Sequence, residues 1–100
     1  MVEQGPMTEA MYYILLALTK PGYGYGMMQR IRELSGGRIE MGPGTLSGVL
    51  TRMNKEGLIV LTRADGRRKN YEITQMGRDA LLAEYRRLKD MVRDGNILEV

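Results

Sequence analysis

The chain has one hundred residues and a net charge of +3, enough for one small domain with a modest core that is marginal as an isolated unit. It has no Cys and no His, which excludes disulfides, thiolate and imidazole chemistry and most zinc and iron sites; no metal site or cofactor is expected. No apolar run approaches the roughly 20 residues of a membrane span, and the opening MVEQGPMTEA lacks the basic-then-apolar plan of a signal peptide, so a cytoplasmic chain with no membrane partner is expected.

The residues TEAMYYILLALTKPG read as a first helix, with Thr8 as N-cap, Met11, Ile14, Leu15 and Leu18 at helical spacing, and Pro21-Gly22 as the stop. GYGYGMMQRIRELSGG reads as a second, with Met27, Ile31 and Leu34 facing inward and Gly36-Gly37 ending it. Its glycines match neither a phosphate-binding loop nor a dinucleotide fingerprint. RIEM is a short extended connector, and Pro43 fits the first turn of a third helix that Gly57 closes.

That third helix, MGPGTLSGVLTRMNKEGL, carries Leu46, Val49, Leu50 and Met53 on one stripe. The other side holds Gly44, Thr45, Ser47, Gly48, Thr51, Arg52 and Lys55, where a solvated helix would carry Glu and Lys at most places. Each interior glycine costs about 0.5–1 kcal/mol relative to alanine, so a close approach should compensate for it. One explanation is packing against another helix, with Ser and Thr as neutral surface. The other is a nucleic acid, read by small residues, hydroxyls and Arg, with the first N–H groups near Gly44 and Thr45 facing a phosphate.

From Leu58 the period changes: LIVLTRA and KNYEIT are strand-like runs separated by DGRR, with Asp65-Gly66 as a hairpin turn signal. Arg63, Arg67, Arg68 and Lys69 cluster round that turn, with Tyr71 following, as a basic finger suited to phosphates or the minor groove. The whole excess of positive charge lies in residues 43–73, which have six Lys/Arg against three Asp/Glu. After Thr74, an N-cap, a helix of about 20 residues runs to Gly95. It carries Ala80, Leu81, Leu88, Met91 and Val92 among charges.

Three short helices, a hairpin and a long helix make a mainly α chain with a small β-hairpin. This is the layout of a winged helix-turn-helix DNA-binding domain, residues 1–73, followed by a C-terminal dimerisation helix and tail, residues 74–100. Double-stranded DNA and a second copy of the chain are the expected partners. The stripe of Leu81, Leu88, Met91 and Val92, with Tyr85 between them, is the expected dimer interface because a lone projecting helix would leave it as an exposed patch. The ionisable residues form no catalytic constellation, so no enzyme is expected.

The blocks YYILLAL, GPGTL to EGLI and GRRKNYEITQMGRDALL also resemble PadR-type transcriptional regulators over roughly residues 8–95. The resemblance implies a homodimeric, usually repressing, DNA-binding protein of the short branch, with a single C-terminal helix. By position it puts Thr45 and Ser47 to Arg52 on the recognition helix, Arg67 to Tyr71 in the wing, and Tyr25 near the DNA backbone. A half-buried core ring is the ordinary alternative for Tyr25. The chain departs from the family at Ser47, where Tyr is frequent, and at Asn70, where an aromatic is. Three alternative functions remain: a ligand-responsive sensor of the multidrug type, a protein-interaction module and, weakest, an enzyme. The nine Met suit a small-molecule inducer pocket in principle, but their spread over four helices reads as core.

Overall fold

The computed structural model describes residues 7–20, 22–65 and 68–99. Helix α1, Glu9–Ala17, opens where the Thr8 hydroxyl accepts the N–H of Met11 at 3.1 Å. A two-residue strand β1, Gly22–Tyr23, leads directly into α2, Gly24–Leu34. Helix α2 closes on Gly36 at φ 63°, with the N–H of Gly36 donating to Glu33 O and that of Gly37 to Arg32 O, a pattern that satisfies the last carbonyls. Helix α3, Pro43–Lys55, ends the same way at Gly57, φ 83°: Gly57 N–H donates to Asn54 O and Leu58 N–H to Met53 O.

Strands β2, Ile59–Asp65, and β3, Arg68–Ile73, form an antiparallel hairpin, and β1 adds to its far edge in the order β1-β3-β2. The sequence pattern does not show β1: two residues have no period, and the glycines there read as a helix start. The hairpin register changes between Leu61, opposite Tyr71, and Arg63, opposite Asn70. Thr62 is the extra residue, and its hydroxyl donates to Asn70 O at 3.3 Å. By alternation alone Arg63 would share the inward face of Ile59 and Leu61; the bulge sets it opposite Asn70 instead.

One core joins these elements: Ile14, Leu15 and Leu18 with Met27, Ile31, Leu46, Leu50, Met53, Leu58, Ile59, Tyr71, Ile73 and Leu81. Leu34, expected to face inward with Met27 and Ile31, is 48% exposed. It occupies the last turn of α2, and the stripe continues in sequence past the point where the core ends. Helix α4, Gln75–Asp94, follows from Thr74, whose hydroxyl accepts the N–H of Gly77, and runs on into a 3-10 turn at Gly95–Leu98. With α2 and α3 behind a hairpin wing, the architecture is a winged helix-turn-helix with a long C-terminal helix.

Candidate nucleic-acid interface

Helix α3 is two-sided. Leu46, Leu50 and Met53 are buried and Val49 is partly so, while Gly44, Thr45, Ser47, Gly48, Thr51, Arg52 and Lys55 are all exposed. At 3.6 residues per turn those seven exposed positions span a sector of about 160° centred opposite the buried stripe. A Cβ built at Gly44 or Gly48 would meet no atom within 4 Å. Packing within the chain therefore does not account for the two glycines, and they leave the face open to something outside it.

The chemistry of the face is specific. Pro43 stands at the first helical position and Gly42 at the N-cap, which has no side-chain cap bond, so the N–H groups of Gly44 and Thr45 sit at the positive end of the helix without a capping side chain. Thr51 donates its hydroxyl hydrogen to Ser47 O at 2.9 Å, leaving its oxygen lone pairs and methyl group for an outside contact. Arg52 is held by Glu56, Nε to Oε2 3.3 Å. The i,i+4 spacing of Arg52 and Glu56 is the sequence signal for this pair.

The wing begins three residues after α3, so both grow from the Gly57-Leu58 junction. Arg63 and Lys69 are exposed on it, with Lys69 opposite Ala64. Arg67 and the side chains of Arg68 and Tyr25 lie outside the described residues; the backbone of Tyr25 is in the first turn of α2. Tyr71, expected among the wing's contact residues, belongs to the core at 6% exposure. Alternation along β3 puts it on the inward face with Ile73, opposite Leu61 on one side and Gly22 on the other.

The stripe of α4 divides at its middle. Gly77, Leu81 and Glu84 are buried, so Leu81, expected in the interface stripe, serves the chain's own core. On the same stripe further along, Tyr85 and Met91 are exposed, Val92 is 75% exposed and Leu88 is half-buried. Glu84 marks the division: hydrogen bonds from Arg87 hold its carboxyl below the usual carboxylate range, with the Arg87 charge and the Met7 N–H acting in the same direction against burial. Among the described residues no group of three or more His, Cys, Asp or Glu is placed to hold a metal ion, and no helix is long and apolar enough to cross a membrane.

Residues 14–83 match the model of the transcriptional regulator PadR-like family. The chain belongs to the PadR-like family. Solved structures agree. A PadR family transcription regulator from Clostridium difficile is 25% identical with a TM-score of 0.77, over 93% of this chain and all of that one. A PadR-like transcription factor from Bacteroides fragilis is 26% identical with a TM-score of 0.75, over 88% and 87% of the two chains. RosR from H. salinarum, 22% identical with a TM-score of 0.68 over 92% and 96%, shares the fold. No match is found among curated proteins. This PadR-like chain is thus a transcription regulator on a winged-helix DNA-binding fold, with the open face of α3 and the root of the wing on one continuous segment, residues 43–73.

Proposed function

We propose that this PadR-like regulator is a homodimeric repressor that reads a palindromic operator in double-stranded DNA. Residues 1–73 act as the DNA-binding unit and residues 74–100 as the dimerisation helix and tail; the protein works in the cytoplasm and catalyses no reaction. The face of α3 enters the major groove, where Thr45, Ser47, Thr51 and Arg52 meet base edges and the N–H groups of Gly44 and Thr45 meet a phosphate. Lys55 and the wing cations Arg63, Arg67, Arg68 and Lys69 neutralise phosphates, and Tyr25 is a further backbone contact.

The observation that carries this reading is the open space over Gly44 and Gly48 on a face opposite the core. Two glycines in an exposed helix reduce its stability, and a duplex that needs close backbone approach explains them. Dimerisation rests on the outer half of the α4 stripe, the exposed Tyr85, Met91 and Val92 with the half-buried Leu88, which a second copy would cover. A two-fold pair would set two recognition helices about 34 Å apart, one helical turn of DNA.

Footprinting of the purified protein on the DNA upstream of its own gene tests the reading, with two protected half-sites expected about one turn apart. The variant Leu88→Glu/Val92→Glu should sediment as a monomer and lose the advantage of a full palindrome over a half-site. A folded variant that keeps the parent's mass and its palindrome affinity would remove α4 from the interface.

A further inference from the structure

Glu56 is the one acidic residue between Glu40 and Asp65, and it stands where an acid is least favourable. It is the C-cap of α3, at the negative end of the helix dipole, on the segment that carries the chain's excess positive charge. Its pair with Arg52 is exposed, with side-chain accessibilities of 65% for Arg52 and 43% for Glu56, and a pair so solvated adds little to stability. Folding therefore does not explain the residue, and binding to phosphate would disfavour it.

We infer that Glu56 is a specificity-determining positioning residue: it holds the Arg52 guanidinium so that Arg52 reads a guanine and not a phosphate. This rests on the proposal that α3 enters the major groove. The guanidinium is a planar fork of five N–H donors. Glu56 takes the Nε hydrogen at 3.3 Å, which fixes the plane and leaves the two terminal nitrogens as a pair of donors at the end of the side chain. Two parallel donors match the O6 and N7 acceptors of guanine. The carboxylate also makes the Arg52–Glu56 unit neutral as a whole, so it gains little from a phosphate and releases no counterion, while the two terminal nitrogens keep their hydrogens for donation. Glu56 thus subtracts from indiscriminate affinity and keeps the directional contact.

The test uses a duplex that the unmodified protein selects from a randomised pool, a set in which each G·C pair of that duplex is replaced by A·T, and a random duplex. At one guanine the unmodified protein should lose about 10-fold or more in affinity on replacement. Arg52→Ala should abolish that sensitivity. Glu56→Gln, and Glu56→Ala as a second variant, should reduce it to within about threefold, bind the random duplex more tightly, and steepen the log–log salt slope by about 0.9 as Arg52 moves to a phosphate. A Glu56→Gln protein with the unmodified guanine sensitivity and salt slope would overturn the inference, as would sensitivity that survives Arg52→Ala. If the unmodified protein selects no sequence from the pool, the groove-reading proposal itself fails and takes the inference with it.

Discussion

Thr74 and Gly57 are joined across seventeen residues: the Thr74 hydroxyl donates to the Gly57 carbonyl at 2.6 Å, at the point where α3 ends. The same oxygen accepts the N–H of Gly77 at 3.0 Å, and the Thr74 N–H donates to Leu58 O at 3.1 Å. The first turn of α4 is therefore fastened to the closing turn of α3. A movement of α4 would carry the end of α3 with it.

Gly77→Ala tests that junction. The added Cβ would lie 2.1 Å from the Leu58 carbonyl oxygen and 2.8 Å from Ile73 Cγ1, and backbone cannot give way as a side-chain end can. The expected loss is about 3 kcal/mol or more of unfolding free energy in urea, from overpacking. Thr74→Val, which keeps the shape and removes the cap, should cost about 1 kcal/mol.

The glycines of α3 should behave in the opposite way. Gly44→Ala and Gly48→Ala add a methyl group to open space, so each should raise stability by about 0.5–1 kcal/mol while lowering affinity for the selected duplex. Thermal melts beside binding titrations check both halves. Stabilised variants with undiminished affinity would mean that DNA does not approach this face closely.

Changing Arg67, Arg68 and Lys69 together to Ala should flatten the salt dependence of binding by about 0.9 in log–log slope for each phosphate lost, and should weaken all sequences alike. An unchanged slope would take the wing out of the interface.

The Glu84 carboxyl predicts an acid limb. Its pKa is lowered in the fold from an ordinary value of 4.5, chiefly by the Arg87 hydrogen bonds. The folded state thus binds its proton less readily than the unfolded one. Its contribution is full above about pH 4.5 and is lost as pH falls through the lower folded value. Glu84→Gln should cost about 1–2 kcal/mol at neutral pH and flatten the decline in stability that sets in as pH falls below about 4.5. A parallel decline in both proteins would show that Glu84 does not contribute.

Much of this was legible because local chemistry and tertiary structure agree. Thr8 and Thr74 are N-caps, Gly36 and Gly57 close helices in the left-handed region, Pro43 opens α3, and the two-faced pattern of α3 matches its burial residue by residue. What was not legible depends on distant partners. The strand β1 exists only because β3 offers an edge. The bulge at Thr62 follows from pairing and not from composition, and Tyr71 turns inward because of its register with Leu61 and Gly22. Periodicity marks a stripe but not where its cover ends, so Leu34 lies beyond the core, and Leu81 lies inside it while Val92 does not.

The claim that α3 reads sequence through its small polar face is tested most directly by one ratio, the affinity for the selected duplex over that for random DNA. It should be measured in the unmodified protein and in Thr45→Ala/Ser47→Ala/Thr51→Val. These side chains are exposed, so the variant should melt with the parent. The ratio should fall by about 10-fold or more, each lost base contact being worth about 1 kcal/mol or more, while affinity for random DNA stays within about twofold. A ratio equal to the parent's, or an equal loss on both duplexes, would contradict it.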